Sequence, residues 1–167
     1  TIRLKRDHLE EHKVFSGLMG KAAFISSLRE NVSSILFYAF TEMLNNAIEH
    51  SHSNFVEISI RKDKENVIFH INDFGIGVFK NVMRQRKLNS ELEAIQDLLK
   101  GKTTTQPHSH TGEGIFFSSR MFDKFDIISG GVYFSHSFGD DEDWIIERGK
   151  IISKTAVWMK LSNHTAR

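Results

Sequence analysis

One long helix with a single apolar side limits the folds open to this chain. In the stretch FTEMLNNAIEH, residues 40–50, apolar side chains recur at spacings of three and four, the pattern of a helix that packs on a core. The apolar side of this predicted helix comprises Leu36, Phe37, Phe40, Met43, Leu44, Ala47 and Ile48. Asn31 or Ser33 can cap its start, and we place its end near Ser51. Such a helix needs a second apolar layer to cover.

Alternating segments elsewhere supply that layer. FVEISIR (55–61) and VIFHIN (67–72) flank the charged turn KDKEN and predict a β-hairpin. Nearer the end, FDIISG, VYFSHSF and TAVWMKLS predict three further strands, with DWIIE as a candidate fourth. Residues 79–101 are predicted to be helical, and IFFSSRMFDKF predicts a helix that starts directly after glycine. The order of elements predicts an α+β fold, a two-layer sandwich whose mixed, mostly antiparallel sheet is covered on one face by helices.

Length and composition describe one globular domain with a short N-terminal extension. We divide the 167 residues into an N-terminal helical segment, 1–30, and a main domain, 31–167. A net charge of +1 gives no support to a nucleic-acid partner, and no apolar run reaches the roughly 20 residues that span a bilayer. The lack of cysteine excludes disulfides and thiolate chemistry, and it is compatible with the cytoplasm, where we expect the protein to act. Because the chain begins with Thr1, we expect a piece of a longer protein.

A polar stripe on the long helix carries the first chemical signal. Glu42, Asn46 and His50 lie one helical turn apart, and no cation accompanies them. An Asn side-chain oxygen can complete a mostly hydrated Mg²⁺ shell, and a Glu one turn away can orient or deprotonate a water that attacks a phosphate. The alternative interpretation is a simple solvated face.

The second signal is INDFGIGVF, residues 71–79, in which a strand ends at Asp73 and is followed by Gly75 and Gly77. It lacks the third glycine of a dinucleotide-binding fingerprint and does not open a βαβ unit. Asp73 at the mouth of a pocket could accept a hydrogen bond from an exocyclic amine such as that of adenine. It could equally form an Asx turn with the backbone N–H groups that follow it.

The third signal is HTGEGIFF, residues 110–117, in which Gly112 and Gly114 precede a predicted helix. A glycine-rich helix N-terminus offers unpaired N–H groups and a favourable dipole end, which suit a phosphate. The alternative is a tight turn that needs positive φ angles. The preceding loop is long and almost free of large apolar residues, which in a small domain indicates function or mobility.

As a set, the three signals resemble the GHKL ATPase superfamily, which includes gyrase, the large heat-shock chaperone and histidine kinases. Residues 42–47, ending in Asn-Asn46-Ala47, resemble the N box of that superfamily, Asp73-Phe-Gly75-Ile-Gly77 its first glycine box, and Gly112-Glu-Gly114 its second. His50 makes the N box most similar to that of the anti-sigma-factor serine kinases. The whole stretch also resembles uncharacterised bacterial proteins that pair such a domain with a STAS-like domain. The resemblance covers roughly residues 30–162 and implies the Bergerat fold.

The resemblance also implies a ligand, ATP or ADP with Mg²⁺, and roles for individual residues. Asn46 would bind Mg²⁺, Glu42 would be the general base, and Asp73 would bind the adenine amine. The other residues expected at the nucleotide are His50, Gly75, Gly77, Thr111, Gly112, Gly114 and Thr155. Thr155 follows Lys154 where the superfamily usually has glycine. Residues 79–111 would form a mobile lid in which Lys100, Lys102 and Thr103–Thr105 contact phosphate.

The sequence leaves two functions open for nucleotide binding by this domain. The domain could be a nucleotide-operated switch, or an ATPase or serine/threonine protein kinase that acts on a partner in bacterial signalling. Histidine autophosphorylation is not expected, because neither His8 nor His12 lies in the box that surrounds a phosphoacceptor histidine. We expect a protein partner or an adjoining regulatory domain, and the resemblance leaves a homodimer open.

Two interpretations from other classes remain. The nine histidines include the pairs His50 and His52, and His108 and His110, which could bind a transition metal such as Zn²⁺. Alternatively, the 14 phenylalanines could serve a non-catalytic protein-interaction module, although core packing is the usual fate of phenylalanine.

Overall fold

The structure, a computed structural model, describes residues 2–5, 17, 27–50, 52–99 and 110–165. These ranges contain four helices of eight residues or more and five strands. The helices are α1 (Glu30–His50), α2 (Val78–Gln85), α3 (Glu91–Leu99) and α4 (His110–Met121). The strands are β1 (Ile2–Lys5), β2 (Phe55–Lys62), β3 (Asn66–Asp73), β4 (Lys124–Ser137) and β5 (Trp144–Ser162).

The strands form one sheet in the order β1-β2-β3-β5-β4, and every described pairing is antiparallel. Alternate residues of the inner strands are buried against the helices, as the period of a half-covered strand requires. The predicted α+β sandwich, with helices on one face of the sheet, is confirmed. Its predicted mixed character is not seen among the described pairings, since none of them is parallel.

Helix α1 supplies the centre of the core. Its buried side chains recur every three or four residues and are Val32, Ile35, Leu36, Ala39, Phe40, Met43, Leu44 and Ala47. Phe40 meets Phe69 of β3 edge to face, with ring centroids 5.5 Å apart, which joins the helix layer to the sheet. Phe37 was predicted on the same side but is 43% exposed, because it lies about 100° around the helix from Leu36.

Two long stretches of strand contain the three or four short strands predicted near the end of the chain. FDIISG and VYFSHSF lie in β4, and DWIIE and TAVWMKLS lie in β5. The pairing of β4 with β5 shifts register at Gly130, which has a φ of +57°. The chain also turns back there, since Lys124 Nζ lies 3.1 Å from Ser137 Oγ and the backbone N–H of Phe138 donates to the carbonyl of Asp123 at 2.9 Å. FDIISG and VYFSHSF therefore lie side by side.

The sequence did not predict strand β1, which pairs with β2 at the edge of the sheet. Residues 1–30 were assigned to a helical segment, and residues 2–5 of it are extended instead. The sequence predicts one or two short helices within residues 8–30, of which the structure describes only residue 17, which is helical, and residues 27–30, where α1 begins at Glu30. Residues 79–101, predicted to be helical, are divided between α2 and α3 by a turn at Lys87, whose φ is +54°.

Candidate functional site

A pocket lies between α1 and the inner face of the sheet, close to the end of β3. Three polar residues from three elements line it: Asn46 from α1, Asp73 from β3 and Thr155 from β5. The apolar residues around them are Met43, Ala47, Ile71, Val78, Ile127 and Val157. Its empty volume is about 280 Å³, open solvent included.

Asp73 is the most perturbed acid of the pocket. Its side chain is 5% exposed, and its Oδ1 accepts a hydrogen bond of 3.1 Å from the backbone N–H of Gly75. Burial raises the pKa of Asp73 to about 6, against the lowering effect of backbone hydrogen bonds from Gly75 and Thr155. The Asx turn therefore forms, and the same carboxyl group also lines the pocket, so the two interpretations of Asp73 are compatible.

Thr155 lies directly opposite Asp73 in the pairing of β3 with β5. Its Oγ1 accepts a hydrogen bond of 3.1 Å from the backbone N–H of Val78, and it lies 2.8 Å from Oγ of Ser129. These bonds attach the N-terminus of α2 to the sheet immediately beneath the pocket.

The loop after Asp73 is held from two sides. Ser53 Oγ accepts the backbone N–H of Phe74 at 3.0 Å, and Ser153 Oγ donates to the carbonyl of Gly75 at 3.1 Å. Gly77 has a φ of +93°, and a Cβ at this position would lie 2.6 Å from Ser129 Oγ. The requirement for glycine at position 77 is therefore structural, whatever the pocket binds.

Helices α1 and α4 are in contact at Glu42 and Gly114. A Cβ built on Gly114 would collide with the carboxylate of Glu42 and would lie 3.0 Å from the Cβ of Glu42. Gly114 is buried and lies inside α4, because the helix begins at His110 rather than after the glycines as predicted. The tight-turn interpretation of Gly112 and Gly114 is therefore wrong, since both residues are helical.

Several predicted site residues lie partly or wholly outside the part of the chain that the structure describes. His50, Thr111 and Gly112 belong to α1 and α4, but only their backbone is described. Lys100, Lys102 and Thr103–Thr105 lie outside the described residues altogether. The described part of the predicted lid is packed into the core, where it buries Phe79, Val82, Ala94, Ile95 and Leu98.

The histidine-based metal interpretation receives no support from the described residues. Among them, no group of three or more His, Cys, Asp or Glu side chains is placed to hold a metal ion. His52 is exposed, and the side chains of His50, His108 and His110 fall outside the description. His136 contacts Asp143 instead, with Nδ1 2.5 Å from Oδ1, and Arg120 of α4 donates to the same carboxylate.

Sequence reasoning missed Ser53 and Ser129, two buried serines that hold the pocket together. A signal for Ser129 was available in strand alternation. Phe125 and Ile127 point to the core, so the next inward position, residue 129, should be apolar but is a serine. A polar residue at a core position of a strand indicates a partner inside the protein.

Fold and pocket together define a class, the two-layer α+β domains that enclose a small-ligand site between a central helix and an antiparallel sheet. Within that class, residues 19–133 match the family model described as the histidine kinase-like ATPase domain. The match spans more than half of the chain, so the chain belongs to this family, which lies in the GHKL superfamily; membership supports ATP binding. Thr155 lies beyond the matched residues.

A comparison with curated proteins found no match to this sequence. Within the described ranges, we find no helix with the length and apolar character needed to cross a bilayer.

Proposed function

We propose that this domain binds Mg-ATP in the pocket between α1 and the sheet. The adenine would lie at Asp73, and the phosphates would lie toward Asn46 and the start of α4. One observation carries the proposal: Asn46, Asp73 and Thr155 come from three separate elements and line one otherwise apolar pocket. A few convergent polar groups among apolar walls are the usual composition of a small-molecule site.

The polar end of the pocket at Asp73 suits an amine on a flat base. Above about pH 6 its carboxyl group is ionised and can accept a hydrogen bond from an exocyclic amine. Ile71, Val78 and Val157 provide apolar contacts for a ring. Since burial is what raises the pKa of Asp73, an amine donor would offset part of the cost of ionising this group.

The other end of the pocket suits a metal and phosphates. The amide oxygen of Asn46 is a ligand of the kind that Mg²⁺ accepts, and Glu42 lies one turn before it on α1. A bound Mg²⁺ would neutralise phosphate charge. The N-terminus of α4, which packs on Glu42 through Gly114, adds backbone N–H groups that favour anions.

The consequence of binding is the finer part of the proposal. Glu42 would act as the general base, taking a proton from a water or from a partner's Ser or Thr hydroxyl as that oxygen attacks the γ-phosphate. The bond between the γ-phosphorus and the β,γ-bridging oxygen would break, and ADP would leave. We propose a switch or an anti-sigma-type kinase in bacterial signalling, in the cytoplasm and with a protein partner. The non-catalytic interaction module is the competing function.

Isothermal calorimetry with ATP, with and without Mg²⁺, tests the binding site. We expect Asp73→Asn to weaken ATP binding by at least about tenfold, because a hydrogen bond to a charged group is lost. Asp63→Asn is the matched control, since Asp63 forms an Asx turn at the other end of the β2–β3 hairpin. This control should bind like the wild type.

A second pair of variants tests the metal end. We expect Asn46→Ala to remove the enhancement of binding by Mg²⁺, whereas Asn45→Ala, on the same helix but outside the pocket lining, should retain it. If wild-type protein gives no heat and no thermal shift at millimolar ATP, the nucleotide proposal is wrong and the interaction module is favoured.

Turnover separates an enzyme from a binding switch. Glu42→Gln keeps the size of the side chain and removes the base, so ATP binding should persist while phosphate release falls to the uncatalysed level. Equal release from Glu42→Gln and wild type would exclude Glu42 as the base. Because the acceptor protein is unknown, slow hydrolysis by the domain alone is the activity to follow.

A further inference from the structure

Ser129 is a fully buried polar residue that does not line the pocket but contacts a residue that does. It lies on β4 directly opposite Thr155 of β5, and the two hydroxyl oxygens are 2.8 Å apart. Among the described residues, Thr155 is the only hydrogen-bond partner of the Ser129 hydroxyl. Because an unpaired buried donor is costly, the Ser129 proton should be given to Thr155.

This direction fixes how the Thr155 hydroxyl can act. A hydroxyl has two lone pairs and one proton. The backbone N–H of Val78 takes one lone pair of Thr155 Oγ1, and Ser129 takes the other. The remaining proton is then available to an acceptor in the pocket, so that Thr155 acts as a donor beside Asp73, which is an acceptor when ionised.

The backbone holds Ser129 in this position. The register shift that follows it occurs at Gly130, whose positive φ bends β4 away. On the other side, Gly77 leaves the space that the Ser129 hydroxyl fills, since a Cβ there would lie 2.6 Å from Oγ. Bulges of this kind often direct a side chain toward a site.

We propose that Ser129 is a positioning residue that keeps Thr155 a hydrogen-bond donor and thereby selects bases with an amine beside an unprotonated ring nitrogen. The proposal rests on nucleotide binding in this pocket. Such a base offers one donor and one acceptor, which match the Asp73 carboxylate and the Thr155 hydroxyl. A base with a carbonyl oxygen beside a protonated ring nitrogen offers the reverse order.

The test compares the affinities for ATP and inosine triphosphate, which differ at the amine and ring nitrogen in question. We expect Ser129→Ala to reduce the preference for ATP by roughly threefold to tenfold, the equivalent of one hydrogen bond. Thr155→Val should reduce it similarly, and Ser129→Ala should then have no further effect in the Thr155→Val background. If Ser129 were needed only for stability, Ser129→Ala would still reduce the preference for ATP in the Thr155→Val background.

Two more variants keep the test decisive. Ser135→Ala removes another buried serine of β4 away from the pocket and should leave the preference unchanged. Ser129→Cys preserves the packing with a weaker donor and should give an intermediate preference, which serves if Ser129→Ala does not fold.

The outcomes separate the two proposals. Wild-type protein that binds neither nucleotide would overturn the proposed function. Wild-type protein that prefers ATP, with Ser129→Ala acting as strongly in the Thr155→Val background as alone, would overturn the role of Ser129 and leave nucleotide binding intact.

Discussion

Asp73 meets two opposing demands. Burial makes its ionised form costly, which raises its pKa to about 6, while recognition of an amine requires that form. The folded-state pKa of Asp73 lies above the ordinary aspartate value of 3.8, so the folded protein holds this proton more tightly than the unfolded chain. The stabilising contribution is present in full below about pH 4 and is lost as the pH rises through 6.

We therefore predict that Asp73→Asn gains stability relative to wild type as the pH rises from 4 to 8. The pH-dependent gain should be up to about 3 kcal/mol, since each unit of pKa shift corresponds to about 1.4 kcal/mol. Urea unfolding at several pH values measures it. Parallel pH profiles for the two proteins would contradict the raised pKa. A more stable protein that binds ATP worse would identify Asp73 as a residue kept for function.

The contact of Gly114 with Glu42 allows a second prediction at single residues. Alanine in a helix normally stabilises by roughly 0.5–1 kcal/mol relative to glycine, but here its Cβ would collide with Glu42. We expect Gly114→Ala to destabilise the protein by about 1–3 kcal/mol. Combining it with Glu42→Ala should recover part of that loss, and thermal unfolding of the four proteins measures the coupling. Additive effects would show that the two residues are not in contact.

Helix α3 and the kink in β4 are joined by one side chain. Glu91, in the first turn of α3, accepts the backbone N–H of Gly131 at 3.2 Å and lies against Gly130, where a Cβ would collide with its carboxylate. The helix therefore supports the strand at the position where it bends, next to Ser129.

We predict that Glu91→Ala weakens the contact between α3 and β4 at Gly131. Loss of the acceptor should lower the free energy of unfolding by about 1 kcal/mol and speed hydrogen exchange of the Gly131 amide, as followed by NMR. Glu91→Gln keeps an acceptor oxygen and should preserve most of the protection. If both variants leave the Gly131 amide unchanged, the hydrogen bond does not form in solution.

Among the elements, those with a strong period were predictable and those defined by pairing were not. The apolar spacing of α1 and the alternation of β2 and β3 are local, so the sequence alone located them. β1 has only four residues, too short for a period, and exists because β2 offers it an edge. The kink at Gly130 requires a positive φ and the support of Glu91, neither of which is visible in a local pattern.

At the scale of the whole molecule, β4 folds back on itself near Gly130, since Lys124 Nζ lies 3.1 Å from Ser137 Oγ and the backbone N–H of Phe138 donates to the carbonyl of Asp123 at 2.9 Å. Residues 155–162 of β5 pair with β3, whereas residues 144–147 pair with the second half of β4. The outer part of this unit, residues 132–147, carries the exposed apolar side chains Phe138, Trp144 and Ile146. Arg120 of α4 and Asp143 anchor the outer part by an ion pair of 2.8 Å.

We predict that the two parts of β5 differ in local stability. Amides of residues 144–147, which pair with β4 alone among the described strands, should exchange hydrogen faster than those of 156–161, which have β3 on one side and β4 on the other. Exchange mass spectrometry with peptides from both parts measures this. Arg120→Ala should widen the difference by loosening the outer part. Uniform protection along β5 would mean that another surface covers it.

The candidate site shows what a sequence can and cannot specify across the whole chain. Motif spacing identified Asn46 and Asp73, because each lies in a recognisable local pattern. It could not show that Thr155 lies opposite Asp73, since 82 positions separate them and only the sheet register joins them.

The pairing of Asp73 with Thr155 has a further consequence for how a bound ligand would change the stability of the fold. They belong to β3 and β5, which have paired strands on each side in this sheet. A molecule bound there would hold together the part of the fold that separates last, so its binding energy would oppose complete unfolding rather than local fraying. The melting temperature should then rise with the logarithm of ligand concentration, which makes this domain well suited to screening nucleotides by heat alone.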